Sequence, residues 1–218
     1  MKISEESRPG ETRSDGPGIR LSGFAGGSNV NGPGRRVVVW VQGCTLHCPG
    51  CFNPLTHSAE GPVTPVEALA QRVLSARTAE TCGLSFSGGE PFQQALALAD
   101  LARRVRGAWP EVSLLAFTGY TLEDLRGASA PTGSASLLAQ LDLLVDGPYL
   151  REAETVRPWR ASANQRLWVL GRRTEKSFKN APLATEIQAE IQVEPDGRVL
   201  LSGFPDAALR RAIRELAR

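Results

Sequence analysis

The sequence predicts an α/β fold organised on parallel strands, and three observations carry that prediction. Residues 36–42, Arg-Val-Val-Val-Trp-Val-Gln, form a β-branched run bounded by glycines. Near-continuous apolar character of this length marks a strand covered on both faces, the habit of parallel sheets. Downstream, strand-like runs alternate with helical patterns, the order that βαβ units require. The chain also has the size for it: 218 residues, 41% hydrophobic and 22% charged, are the proportions of one globular unit with a full core.

Taken in order, residues 1–18 are rich in Ser, Glu, Arg, Gly and Pro and nearly free of large apolar side chains. A stretch that can bury so little apolar surface is expected to be disordered or loosely attached. Asp15-Gly-Pro-Gly-Ile-Arg20 and Asn31-Gly-Pro-Gly-Arg-Arg36 are turn chemistry. After the first strand, Thr64-Pro65-Val66-Glu67 has the form of a capping box with Pro at the first helical position, so a helix is expected from there to about Arg77. Gly83–Ser87 reads as a short strand ending in Gly88-Gly89, and Phe92–Arg106 as an Ala/Leu-rich helix. Val112–Thr118 is a further strand, Thr121-Leu-Glu-Asp124 a helix start, and Ser136–Gln140 a weaker helical stretch. Leu141–Asp146 and Arg166–Leu170 complete the strand series. The chain closes differently. Glu186–Glu194 and Arg198–Ser202 flank Pro195-Asp196-Gly197, a hairpin signal, and Pro205–Arg218 is an amphipathic helix with Leu209, Ile213 and Leu216 on one stripe.

Composition removes several classes of function. A net charge of +2 supplies no basic field, and the four Trp lack basic interleaving, so no nucleic acid partner is expected. No apolar run approaches the ~20 residues of a membrane span, and the polar N-terminus is not a signal peptide. A cytoplasmic setting away from the membrane follows as the expectation. Four cysteines are too few for a disulfide scaffold; in a reducing compartment, clustered cysteines point to metal binding or redox work.

Cys44-Thr-Leu-His-Cys48-Pro-Gly-Cys51 puts three thiols within eight residues, directly after the first buried strand. They can converge on one small metal centre in two ways. One is structural zinc, with His47 or His57 as the fourth ligand, in a non-enzymatic module. The other is a [4Fe–4S] cluster with one iron left without a protein ligand, since such clusters ordinarily take four thiolates. An open iron can bind a substrate or cofactor, by the same logic that makes three-ligand zinc sites catalytic. Cys82 lies across a helix from the loop and is expected as a small core residue. His47 and His57 are expected to face solvent or to stand behind the ligands.

The C-x₃-C-x₂-C spacing resembles the signature of the radical S-adenosylmethionine (SAM) superfamily. Many members carry an aromatic residue just before the third cysteine; here Gly50 stands there and Phe52 follows Cys51. The Cys-Pro-Gly-Cys-Phe-Asn arrangement resembles one subgroup, the activating enzymes of anaerobic ribonucleotide reductase. Ser87-Gly-Gly-Glu-Pro91 is similar to the motif that binds the SAM amino group in that superfamily, and it sits one βα unit past the cysteine loop. Glycines there let backbone approach a ligand closely, and Glu90 adds negative charge near an amine. Thr118-Gly119-Tyr120 and Asp146-Gly147-Pro148-Tyr149 close later strands and also resemble segments of the activators. Arg160-Ala-Ser-Ala-Asn-Gln-Arg166 is similar to a further activator segment, with Ala161 where the family has glycine and Ala163 where it has serine.

The resemblance covers residues 31–170 and implies a partial (β/α) barrel of the radical SAM type, followed by the β-hairpin and helix. It implies one domain over 31–218, with residues 1–30 an N-terminal extension, partly disordered. Cys44, Cys48 and Cys51 would hold the cluster. Gly50, Phe52, Asn53, Gly88, Gly89 and Glu90 would line SAM, with Asp146 an outer contact and Arg160, Asn164 and Gln165 secondary candidates. In such an oxidoreductase a reduced cluster cleaves SAM to methionine and a 5′-deoxyadenosyl radical, which abstracts a hydrogen atom. The implied substrate is a glycine of a protein partner such as anaerobic ribonucleotide reductase, with flavodoxin or ferredoxin as electron donor. A radical SAM enzyme acting directly on a peptide or small molecule is the alternative, and a zinc module the third.

Overall fold

The computed structural model describes residues 17–155, 157–179, 189–193, 199–205 and 207–216. Its frame is a seven-stranded sheet, in spatial order β3 (Val63–Pro65), β1 (Gly18–Ser28), β2 (Arg35–Val41), β4 (Thr81–Gly88), β5 (Ser113–Phe117), β6 (Leu143–Asp146) and β7 (Arg166–Val169). β2, β4, β5 and β6 run parallel, in a register that opposes Val41 to Gly88 and Phe117 to Val145. The strands that join them at either edge, β1 and β7, are antiparallel to their neighbours. Helices α1 (Val66–Ser75), α2 (Ala95–Ala108), α3 (Leu122–Arg126) and α4 (Ser134–Leu138) follow β3, β4 and β5. Alternation along the strands sends Val37, Val39, Val41, Leu84, Phe86, Leu114 and Leu144 into one core with Leu69, Leu98, Leu101 and Val105 of the helices.

The opposite face is packed differently. Val38 and Trp40 form one small cluster, and Leu115, Leu143 and Val145 another. At the N-terminal end of the strands the wholly buried Arg36 fills this face. Its guanidinium donates to Ser85 Oγ at 2.7 Å, to the carbonyls of Ser113 at 2.6 Å and Leu84 at 3.1 Å, and to Ser177 Oγ at 3.3 Å on α5 (Glu175–Lys179). Burial pulls this guanidinium down to about 10. Gly83 makes the room: a Cβ there would lie 2.4 Å from Arg36 Cζ. Cys82, 2% exposed, packs beside it with Sγ 3.2 Å from the Arg35 carbonyl, in the core role expected of it.

Several elements differ from the sequence expectation. No strand was expected over 18–28, yet β1 pairs with both β2 and β3, because its backbone supplies the ladder those strands need. Thr64 does not cap α1. It is drawn into β3 opposite Ile19, and Pro65 becomes the cap residue with no side-chain bond. The helix expected from Phe92 starts as a 3₁₀ turn over Pro91–Gln94 and becomes α-helical at Ala95. Thr121 and Asp124 do form a reciprocal capping box on α3. β7 is antiparallel, not parallel, because the connection from β6 carries only a 3₁₀ turn at Arg151–Ala153 and no crossover helix. The hairpin is formed by β8 (Ala189–Val193) and β9 (Val199–Gly203), and α6 (Ala207–Leu216) follows it. Its turn, Pro195-Asp196-Gly197, lies outside the described residues, as do residues 1–16.

Candidate active site

The cysteine loop and the Gly-Gly-Glu turn meet at the C-terminal ends of β2 and β4, where parallel sheets hold ligands. The chain leaves β2 at Val41 and enters the cysteine loop. Cys48-Pro49-Gly50-Cys51 folds as a tight turn, with the Cys51 N–H donating to the Cys48 carbonyl at 3.1 Å and Gly50 at φ 75°. Proline at the second position and a left-handed glycine at the third are what such a turn demands, so Gly50 earns its place through backbone geometry. Cys44, Cys48 and Cys51 are free thiols, each half-buried. The Asn53 N–H points at Cys51 Sγ, 3.4 Å away. Burial pushes the Cys44 and Cys51 thiols above their ordinary value, so ligation must displace protons.

β4 delivers the Gly-Gly-Glu turn against this loop. The Gly89 N–H donates to the Val41 carbonyl at 2.8 Å and the Glu90 N–H to the Gly43 carbonyl at 2.9 Å. The two glycines permit that approach. A Cβ on Gly88, at φ 99°, would lie 2.6 Å from Val41 backbone, and one on Gly89 2.3 Å from the Gly43 oxygen. Their first service is thus to seat one loop on the other, a reason the motif alone does not reveal. Glu90 is 1% exposed. Its carboxylate accepts from the Phe92 N–H (2.9 Å), the Thr118 hydroxyl (2.8 Å) and the Gly119 N–H (2.9 Å). Burial pushes it up to about 7 against those three bonds. A carboxylate has about four acceptor positions, so one remains for a ligand.

One cavity of about 850 Å³ is walled by both loops. That is ample for a drug-sized cofactor. Cys44, Cys48, Cys51, Gly50, Phe52, Asn53, Gly88, Gly89 and Glu90 all line it. Phe52 packs its ring 5.4 Å from that of Tyr149, which follows β6. Asp146 is not brought to the wall. Wholly buried, it accepts from the Leu122 N–H at 2.7 Å and is clamped by Arg166 Nε at 3.0 Å, so it caps α3 and ties β7 to β6, while Gly147 takes its place in the lining. Gln165 does reach the cavity and braces the loop, donating to the Gly147 carbonyl at 3.0 Å and accepting from the Ala161 N–H at 2.8 Å. Asn164 donates to the Pro148 carbonyl and Arg160 to the Pro158 carbonyl; neither lines the wall. Ala161 lines it without a positive φ, so the Cβ that replaces the family's glycine fits.

His47 is exposed, at φ 46°, and its Nδ1 lies 3.1 Å from Nδ1 of His57. His57 itself lines the cavity, and its ring meets that of His47 edge-on with centroids 4.7 Å apart. Among the described residues no three His, Cys, Asp or Glu side chains are arranged to hold a single metal ion. Residues that sequence reasoning did not reach also wall the cavity, above all Leu201, Phe204, Arg211 and Glu215 of the C-terminal segment. No motif marks them.

The donor set fits an iron–sulfur cluster: three unpaired thiols on one loop, with a buried carboxylate and approachable backbone across the same cavity. The class this defines is a single-cluster iron–sulfur protein with a ligand cavity beside the cluster loop. The chain belongs to the 4Fe-4S single cluster domain family, whose model matches residues 30–168. It is similar to anaerobic ribonucleoside-triphosphate reductase-activating proteins. The match is 33% identical to that of phage T4 over 142 residues, 64% of this chain and 86% of the relative. It is 35% identical to that of Vibrio cholerae serotype O1 (62% and 88%) and 30% to that of Escherichia coli K12 (62% and 89%). No helix among the described residues is long and apolar enough to cross a membrane.

Proposed function

We propose that this chain is a radical SAM activating enzyme that abstracts a hydrogen atom from a glycine of a protein partner, an anaerobic ribonucleotide reductase or a related glycyl radical enzyme. Its cofactors are a [4Fe–4S] cluster and SAM. The observation that carries the reading is the shared cavity: the three-cysteine loop and Gly88-Gly89-Glu90 close on the same space in a chain of the reductase-activating kind. Cys44, Cys48 and Cys51 are assigned as cluster ligands. Gly50, Phe52, Asn53, Gly88, Gly89 and Glu90 are assigned to SAM, with Asp146 acting at a distance through α3 and Arg166. The frame is assigned as a partial (β/α) barrel over 31–218, with residues 1–30 an N-terminal extension whose Gly18–Ser28 segment joins the sheet as β1.

When bound, the reduced cluster and SAM supply a 5′-deoxyadenosyl radical; the protein has to hold, orient and shield them. Glu90 would hold the SAM amine with its remaining acceptor position, and Thr118 and the Gly119 N–H keep its carboxylate aimed. Phe52 and Tyr149 give the wall an apolar floor. The electron donor is assigned as a flavodoxin or ferredoxin, the compartment as the cytoplasm, and neither nucleic acid nor membrane takes part. The test is anaerobic reconstitution, then SAM with a strong reductant. The reading expects labile sulfide with four irons per chain and 5′-deoxyadenosine, both lost in Cys48→Ala. One zinc per chain and no labile sulfide would overturn it.

A further inference from the structure

The β8–β9 ribbon lies outside the residues that the family model matches, and it is built inside out. Side chains alternate across a ribbon, so its two faces can be separated residue by residue. One face carries Glu190, Gln192 and Ser202 together with the position of Leu200, Glu190 lying directly opposite Ser202 and Gln192 opposite Leu200. That polar face is turned to the body of the protein. Glu190 accepts from the Asn29 N–H at 2.7 Å, Gln192 donates to the Gly27 carbonyl at 2.8 Å, and Ser202 accepts from Asn31 Nδ2 at 3.1 Å. The other face carries Ile191, 60% exposed, Val193, 70% exposed, and Leu201, the cross-strand partner of Ile191. A ribbon ordinarily buries its apolar face; this one directs its hydrogen bonds to anchorage and leaves Ile191 and Val193 in water, with Leu201, 37% exposed, beside them. Contiguous exposed apolar surface of this kind marks an interaction site.

Continuity says what covers it. Leu201 belongs both to this face and to the wall of the cavity, and Phe204, which follows β9, packs 5.7 Å from Phe117 at the end of β5. The ribbon thus borders the cavity through Leu201, Ser202 and Gly203. Residues 1–16 offer only Met1 and Ile3 as large apolar side chains, too few to serve as the cover. We infer that the Ile191–Val193–Leu201 face docks the protein substrate beside its glycine, taking an apolar segment of that partner as the glycine loop enters the cavity. This rests on the activating-enzyme reading above.

The experiment uses the cluster-loaded protein and the anaerobic ribonucleoside-triphosphate reductase of the same organism. Glycyl radical formation is followed by electron paramagnetic resonance across reductase concentrations, and 5′-deoxyadenosine is measured without reductase. The Ile191→Ser/Val193→Ser variant is compared with the unaltered protein and with Val169→Ser, an equally exposed valine on edge strand β7. The inference expects a tenfold or greater fall in radical formation at low reductase for the ribbon variant, recovering as reductase is raised. Partner-free SAM cleavage and iron content stay within twofold, and Val169→Ser matches the unaltered protein. Equal radical formation in both variants overturns the docking face and leaves the activating-enzyme reading standing. No radical with the unaltered protein, despite 5′-deoxyadenosine, overturns both. A dimer by sedimentation that dissociates in the ribbon variant, with radical formation unchanged, assigns the face to a second copy and overturns the inference.

Discussion

The cluster side of the cavity and its C-terminal side are built by opposite means. On the cluster side, backbone meets backbone. Gly89 and Glu90 hydrogen-bond directly to Val41 and Gly43, and no side chain fits between. On the C-terminal side, polar side chains reach across to the body, with Glu190, Gln192 and Ser202 bridging to residues 27–31. Direct backbone contact fixes positions closely and tolerates no substitution, which suits a wall that must hold a cofactor. Side-chain bridges are adjustable and individually worth about 0.5–1.5 kcal/mol, which suits a wall that meets a partner.

Four substitutions break or sharpen this contrast, in falling order of effect. Cys48→Ala removes one of three ligands. Iron and sulfide after reconstitution should be lost, and 5′-deoxyadenosine formation should fall by at least a hundredfold. Gly89→Ala puts a Cβ 2.3 Å from the Gly43 oxygen and must push the two loops apart. SAM affinity by equilibrium dialysis should weaken at least tenfold, with a stability loss of about 1–3 kcal/mol in denaturant titration.

Glu90→Gln tests the carboxylate itself. In the free enzyme burial holds Glu90 near 7, so below neutrality it is protonated and must release its proton to accept from the SAM amine. SAM binding should therefore strengthen as pH rises from 6 to 8. The Gln variant should bind more weakly at pH 8 and show a shallower pH dependence, read by titration at several pH values. Glu190→Ala comes last. It frees the Asn29 N–H and a long bond from Gln192 Nε2, so stability should fall by about 1 kcal/mol and SAM cleavage without a partner should stay within twofold.

The same contrast explains how far the sequence could be read. The buried strands at 36–42 and 83–87 declared themselves through β-branched and glycine-bounded runs, and the cysteine loop and Gly-Gly-Glu turn through residues that tolerate no substitute. Asp146 was legible as a strand-end acid, but its partners, Leu122 and Arg166, come together only when β6, α3 and β7 are assembled. β1 was missed because Gly23, Gly26 and Gly27 weaken any strand pattern, and only pairing on both sides makes it one. Thr64 shows tertiary context overriding a cap that local chemistry favours. The ribbon face was invisible for a simpler reason. Alternation in 189–193 is plain, but nothing in a sequence says which face is turned inward.

Isotope tracing tests most directly whether the cavity delivers its radical to a protein glycine. The cluster-loaded enzyme is incubated with SAM, a reductant and a reductase carrying dideuterated glycine, and the 5′-deoxyadenosine is analysed by mass spectrometry. Transfer from the partner predicts one deuterium in the 5′-deoxyadenosine, matched by glycyl radical in the reductase. Unlabelled 5′-deoxyadenosine with no radical in the reductase would contradict it.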